Sequence, residues 1–241
     1  MLTQSDICRV DFGYFVRPES ETGTGAPRVE PVLGYLVRLP DGLLLFDTGM
    51  GTGEPDLEEH YRPARRPLGA ALADHGVAVD EVRTVVNCHL HFDHCGGNPE
   101  LPGRRVLVQA GELRQARTDP AYTLQHLLDY PGAGYDELSG ETEFGPGVWV
   151  LPTPGHTAGH QSLVVRCQDG TVVLAGQGFD TAAQLTGEQL AVQAGDDGVA
   201  PPLPAVACWL GRLLELDPAR VLFAHDMAVW EPARPGRGPE P

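Results

Sequence analysis

Apolar residues fall in short runs separated by turn signals over most of this chain, a pattern that predicts many short strands rather than long helices. Ile7 to Val16, Val32 to Leu39 and Leu43 to Phe46 read as strands, and Pro40, Asp41 and Gly42 supply a turn between the last two. The chain therefore opens as antiparallel sheet. Between the first two strands, Pro18 to Pro31 is rich in Glu, Thr, Gly and Pro with little to bury; it is expected to be a mobile loop able to lie over a pocket. Leu68, Ala71 and Leu72 recur at helical spacing within Pro67 to His75, and this helix feeds a strand from Thr84 to Cys88.

A strand from Arg105 to Gln109 leads into helical segments at Gly111 to Arg117 and Ala121 to Tyr130. Val148 to Leu151 reads as a strand, and Gln161 to Cys167 and Thr171 to Ala175 flank Gln168, Asp169 and Gly170 as a hairpin. Leu203 to Leu216 places Val206, Trp209, Leu210, Leu213 and Leu214 on one helical face, and Arg220 to Ala224 is the last expected strand. Two blocks of strands with interspersed helices predict an α/β fold in which two sheets pack face to face with helices outside, a four-layer αββα sandwich. A single domain is expected over residues 1–230, with the Pro-, Gly- and Arg-rich residues 231–241 as a flexible tail.

Composition narrows the chemistry. At 241 residues, with 41% hydrophobic and 21% charged positions, the chain can bury a substantial core. Its 17 basic against 33 acidic residues leave a net charge of −16, which repels phosphate backbones and anionic lipid, so neither nucleic acid nor membrane is an expected partner. Every basic residue is Arg; the absence of Lys excludes Schiff-base chemistry and a phosphate-gripping P-loop lysine. No apolar run approaches the roughly 20 residues that cross a bilayer. Asp6, Arg9 and Asp11 within Met1 to Tyr14 break any secretion-signal pattern, and Cys8, Cys88, Cys95, Cys167 and Cys208 are odd in number and irregular in spacing. Reduced thiols and a cytoplasmic location are expected.

Four potential metal ligands lie within the six residues His89, Leu90, His91, Phe92, Asp93 and His94, directly after an expected strand. Imidazole nitrogen and carboxylate oxygen suit a borderline ion such as zinc. His156, Gln177 and His225 each follow another expected strand, which argues against reading the run as a polar surface loop. His160 is expected to hydrogen-bond within the fold, and His60, His75 and His126, which have no partner motif, to lie on surfaces or helix faces. Cys88 and Cys95 read as small buried residues flanking the run. Gly49, Gly51 and Gly53 miss the dinucleotide-binding spacing and read as a tight turn beneath the site. Arg65 and Arg66 read as solvated surface, and Tyr14, Phe15, Tyr122 and Leu127 as core residues or the lining of an acyl pocket.

Taken together, HLHFDHCGGN, PTPGHTAGHQS, LLLFDTGMG and the late AHD resemble the metallo-β-lactamase-fold hydrolases, and within them most nearly the N-acyl-homoserine lactonase branch. The matching segments run from about Val32 to about Asp226. The resemblance implies that His89, His91 and His156 bind one metal and Asp93, His94 and His225 a second, with a hydroxide between them and Asp47 orienting a ligand histidine. Zinc is the implied cofactor, as one or two ions, with iron or manganese as alternatives. Asp93 and Asp180 are the implied catalytic carboxylates. Most two-metal members carry a bridging aspartate where this chain has Gln177, and losing that charge should weaken the second ion. Asp180 stands where the lactonase branch has a tyrosine; it could reach the metals, as could Gln177, or act as a general acid if its pKa is raised. The implied activity is opening of a small-molecule lactone or related ester, in a family whose members often form homodimers. A thioester or lactam hydrolase of secondary metabolism, an iron-dependent redox enzyme, and a binding protein that has lost turnover stay open as alternatives.

Overall fold

The computed structural model describes residues 1–232 of the chain. Strands β1 (Ile7–Arg17), β2 (Arg28–Leu39), β3 (Gly42–Phe46), β4 (Ala64–Arg65), β5 (Val82–Val86), β6 (Arg105–Gln109) and β7 (Tyr135–Leu138) form one sheet, in the order β4-β1-β2-β3-β5-β6-β7. Strands β8 (Thr142–Gly145), β9 (Val148–Pro152), β10 (Gln161–Cys167), β11 (Gly170–Leu174) and β12 (Pro218–Leu222) form the other, in the order β12-β11-β10-β9-β8. Helices α1 (Glu19–Thr22), α2 (Pro55–Tyr61), α3 (Leu68–Ala73), α4 (Ala110–Thr118), α5 (Ala182–Asp196) and α6 (Leu210–Glu215) interrupt the strands.

The two-residue period of a strand explains the layering, because central strands that are apolar on both faces must be covered on both. Leu33, Tyr35 and Val37 of β2 meet Leu163 and Val165 of β10 and Val172 and Leu174 of β11 between the sheets. Val32 and Leu36, on the opposite face of β2, pack outward among Leu68, Leu72 and Leu113 of α3 and α4. Val164 and Val173 point the other way, toward Leu185 of α5 and Leu210 and Leu213 of α6. The expected four-layer αββα sandwich is the observed one. Hydrogen bonds also cross between the sheets at one edge: Leu33 N donates to Ala224 O at 2.9 Å and the Tyr35 hydroxyl to Phe223 O at 2.7 Å. They hold the chain segment that leads to His225.

Strands with strong apolar patterning lie where the sequence places them, and β6 and β10 match residue for residue. The expected mobile loop from Pro18 to Pro31 does not form as such. It contains α1 and the start of β2, whose Glu30 is buried because Arg17 and Arg28 neutralise it from either side. Ala121 to Tyr130 holds only a short 3-10 turn at Gln125–Leu127, with Leu124 extended before it. The expected helix over Leu203 to Leu216 begins at Leu210; Pro201, Pro202 and Pro204 lack the amide donors that a helix needs and disfavour helical geometry in the residues before them. Helix α5 escaped the sequence reading because only Leu185 and Ala191 on it are buried, too few to form an apolar stripe. Of the expected tail, Glu231 is paired with Arg220 at 2.8 Å, and residues 233–241 lie outside the described part of the chain. No helix among the described residues is long and apolar enough to cross a membrane.

Candidate metal centre

Strands β3, β5, β9, β11 and β12 deliver their carboxyl ends to one edge of the sandwich, and each runs into a segment that carries a polar residue expected at the site. β3 ends at Phe46, next to Asp47; β5 ends at Val86, three residues before His89. β9, β11 and β12 lead to His156, Gln177 and His225.

Two trios of donor atoms result. His89 Nε2 lies 3.0 Å from His91 Nδ1, and His156 Nε2 lies 3.1 Å from the same atom. Asp93 Oδ2 lies 3.4 Å from both His94 Nε2 and His225 Nε2, which are themselves 3.2 Å apart. The rings of His89 and His94 sit 4.1 Å apart, so the trios adjoin. Donors at bond lengths of about 2.0–2.1 Å around a tetrahedral ion are separated by roughly 3.3 Å, so both trios have the spacing of a ligand set. Imidazole nitrogens and a carboxylate oxygen gathered at these distances have the composition of a ligand set for a cation.

Electrostatics prepare most of these imidazoles to be ligands. Burial drives His89 well below the usual histidine range, with the neighbouring His94 and His91 adding to it. Burial likewise brings His91 down to about 4, and lowers His225 together with His94. His156 is lowered by the surrounding protein and by His91, although one side of the residue is open to solvent. His94 is the exception: burial opposes its charge, but its neighbours Cys88, Asp93 and Asp47 outweigh that penalty and raise it. Burial works against ionisation of Asp93, yet His94 and His225 hold it well below the carboxylate range.

Asp47 lies behind His94 and Cys88. At φ 59° it occupies the left-handed region, which an aspartate tolerates better than most residues. Its Oδ1 accepts the Cys88 N–H at 2.8 Å, and its Oδ2 lies 3.0 Å from His94 Nδ1. With that nitrogen occupied, His94 Nε2 is the one left for a metal. Cys88 does more than fill space. Its sulfur is within 3.0 Å of Asp47 Oδ2, 3.1 Å of His89 Nδ1 and 3.3 Å of His94 Nδ1. Burial pushes its thiol up, and the sulfur sits behind both His89 and His94. His160 hydrogen-bonds within the fold, as expected, and its Nε2 accepts the backbone N–H of Gln177 at 3.1 Å.

Gln177 and Asp180 are joined to each other, and Gln177 also lines the cavity with His91, Asp93 and His156. The Gln177 amide donates to Asp180 Oδ1 at 3.3 Å, and Arg28 Nη2 lies 3.2 Å from Asp180 Oδ2. Burial would raise the Asp180 pKa, but Arg17, the Gln177 amide and His225 bring it below its ordinary value. The condition for Asp180 as a protonated general acid, a raised pKa, is therefore not met. Gly51 and its neighbours do turn beneath the site, where Gly96 N donates to Gly49 O at 2.8 Å. Arg65 is not a solvated side chain, since it donates to Gly51 O and pairs with Glu58. Arg66 is more exposed and pairs with Asp74.

One buried carboxylate escaped the sequence reading. Glu112 of α4 is wholly buried; Oε1 accepts from Leu90 N at 2.8 Å and from the Tyr122 hydroxyl, and Oε2 from Thr157 Oγ1 at 2.8 Å. It thereby ties the backbone between His89 and His91 to the residue after His156. The signal lay in its spacing, four residues before Ala116 and beside Leu113, which puts a charge on the core-facing stripe of α4. A cavity of about 330 Å³ opens over the first trio, with Phe15, Leu57, Tyr61, Phe92 and Tyr122 among its walls. Phe15 and Tyr122 thus line the pocket as one of their two expected readings had it, whereas Tyr14 is half-exposed and Leu127 is buried beneath Gly51.

Sheets, layers and paired donor trios at one sandwich edge define a metallohydrolase-type architecture. A profile of the metallo-beta-lactamase superfamily matches residues 27–225, and the chain belongs to that superfamily. Among curated relatives, the N-acyl homoserine lactonase AiiA of Bacillus thuringiensis subsp. kurstaki is 33% identical over 162 residues, which cover 60% of this chain and 62% of that protein. The matched part is thus less than two thirds of the relative's length. A crystal structure of a B. thuringiensis AiiA mutant with N-decanoyl-L-homoserine bound at the active site superposes with a TM-score of 0.72 at 25% identity, covering 94% of this chain and 95% of that one. A structure of an N-acyl homoserine lactone hydrolase with N-hexanoyl-L-homoserine at its catalytic metal center gives the same values.

Replacing Glu112 with Ala should lower the unfolding free energy by about 2–4 kcal/mol, because it strands a buried amide and two hydroxyls without an acceptor. Urea denaturation measures this, and a loss under about 0.5 kcal/mol would show that the three donors find other partners. The histidines also predict an acid-labile metal-free protein. Below about pH 6.5 the unfolded chain binds protons that His89, His91 and His225 exclude when folded, so stability falls as pH drops toward the His91 value of about 4. His94, raised in the fold, is charged in both states over that interval and does not offset the loss. The melting temperature of chelator-treated protein should fall steadily from about pH 6.5 to about pH 4.5; a flat profile would contradict the neutral assignment.

Proposed function

We propose that this protein is a metal-dependent hydrolase that opens a lactone, with N-acyl-homoserine lactones as the substrate class. The observation that carries the reading is the convergence of two donor trios, His89, His91, His156 and Asp93, His94, His225, of which His91, His156 and Asp93 open on a cavity with apolar walls at Leu57, Tyr61 and Phe92. The names of the relatives support the choice of substrate. His89, His91 and His156 would hold one ion, and Asp93, His94 and His225 the other. Zinc is the proposed ion, since nitrogen-rich sites of this geometry suit it, with iron or manganese as alternatives. When bound, such an ion supplies Lewis acidity toward the carbonyl and makes water nucleophilic near neutral pH.

The protein's own groups have defined tasks in this scheme. Asp47 and Cys88 hold His94 and His89 from behind, so that the opposite ring nitrogens stay aimed at the centre. Phe15, Tyr61 and Phe92 pack around the approach and exclude water from the substituent of the lactone. Neither nearby phenol is a free proton donor, because Tyr122 is committed to Glu112 and Tyr61 to Glu21. Asp93 in the cavity wall is the carboxylate proposed to carry the proton from attacking water to the ring alkoxide. The unpaired cysteines support a reducing, cytoplasmic setting.

Acid release from a panel of lactones, thioesters and lactams tests the reading. The wild-type protein should turn over N-acyl-homoserine lactones, and His91→Ala should cost at least about a hundredfold in kcat/KM, the scale on which catalytic groups act. Turnover confined to thioesters or lactams would move the protein to another hydrolase class, and oxygen uptake by iron-loaded protein to a redox enzyme. Metal counting probes Gln177 separately. Wild-type protein dialysed against limiting zinc should retain fewer than two ions per chain, and Gln177→Asp should retain more; full two-ion loading of both would remove any role for the neutral amide in metal affinity.

A further inference from the structure

β1 and β2 pair so that Phe15 lies opposite Glu30 and Arg17 opposite Arg28, which places all four side chains on one face of the two-stranded arm. That face covers the site: the Phe15 ring stands edge-on to His225 at 5.4 Å, and Arg28 reaches Asp180. Glu30, 1% exposed, is consumed by the arrangement. Its Oε1 and Oε2 accept from Arg17 Nε and Nη2 at 2.7 and 2.8 Å, and Oε1 also accepts from Arg28 Nε at 2.6 Å. A bidentate grip of this kind locks a guanidinium in plane and in direction.

The grip leaves Arg17 Nη1 without a hydrogen bond to any of the described residues; Glu21 Oε2 is 3.9 Å from it. Arg17 lines the cavity that opens on His91, Asp93 and His156, and no other arginine does so among the described residues. We propose that Arg17 is a specificity residue of this site, whose free Nη1 donates to a neutral carbonyl oxygen, amide or ketone, carried on the apolar substituent of the substrate. The proposal rests on the lactonase reading and adds to it the feature by which this chain selects among lactones. A neutral acceptor fits better than a carboxylate, because Glu30 already balances the guanidinium and Glu21 and Asp93 share the cavity wall with it. A further full negative charge there would meet repulsion that a carbonyl dipole avoids. The aliphatic and aromatic walls at Leu57, Tyr61 and Phe92 take the rest of the substituent.

The test compares N-hexanoyl-homoserine lactone with a γ-butyrolactone that bears an alkyl chain of matched length and no amide, on zinc-loaded wild-type, Arg17→Met and Arg17→Lys proteins. Arg17→Met should raise KM for the amide lactone about tenfold or more, the usual effect of losing a hydrogen bond from a charged donor, while its kcat stays within about twofold. KM for the alkyl lactone should hardly change. Arg17→Lys keeps a cation beside Glu30 but has no third nitrogen to offer, so it should lose the preference as well and serves if the Met variant folds poorly. Equal losses on both lactones would assign Arg17 a purely structural role, and unchanged KM for the amide lactone would overturn the proposal. If the wild-type protein hydrolyses neither lactone, the lactonase reading fails by itself, and calorimetric binding of the intact compounds then decides about Arg17. Tighter binding of the amide lactone that is abolished by Arg17→Met would support the assignment, and equal or undetectable binding of the two would overturn it.

Discussion

The contact between Asp47 and His94 is the one on which the rest of the site depends. Both side chains are almost wholly buried at the seam between β3 and β5, where an unpaired charge would cost several kcal/mol. Pairing makes their burial tolerable, and the geometry of the pair sets direction as well as energy. Asp47 holds His94 Nδ1 and the backbone of Cys88 at once, so the whole run from His89 to His94 leaves β5 along one path. His94 Nε2 is then left to meet Asp93 and His225, which comes from the other sheet. The two layers of the sandwich are joined at this edge by the inter-sheet bonds of Leu33 and Tyr35 and by polar groups that gain most from a shared cation.

Legibility of the fold followed the amount of apolar surface each segment buries. β6 and β10 could be read to the residue because nearly all their positions are buried and their runs are bounded by turn residues. β4, β7 and β8 carry no buried residue and left no trace in the pattern. Arm residues Arg28 to Glu30 were hidden by an inversion: Val29 points to solvent while Glu30 points inward, so hydropathy reported the opposite of burial. Ion pairing made that inversion possible, and it depends on Arg17, 13 residues upstream of Glu30 and beyond the reach of local periodicity.

The metal-binding run was legible for a different reason. Ligand chemistry restricts residue type, and closely spaced imidazoles are rare enough to stand out without any knowledge of packing. Groups that hold the ligands are less restricted. Cys88 lies against Nδ1 of two histidines, a place where another small polar residue could serve, and Glu112 reaches the site only through the tertiary path of α4. Such supporting groups are chosen by geometry, so a linear chain discloses them only when, like Glu112, they break a helical stripe.

Gln177 and Asp180 show how this site distributes charge. Two dications about 4 Å apart repel each other by on the order of 15 kcal/mol even at an effective dielectric constant near 20, so the anions around them decide whether both stay. Here the carboxylate is not at position 177 but three residues on, bonded to the Gln177 amide and restrained by Arg28. Asp180 is linked through Arg28 and Glu30 to Arg17 in the cavity wall. One ion-paired chain therefore connects the place where the second metal would be weakened with the place where a substrate would be read.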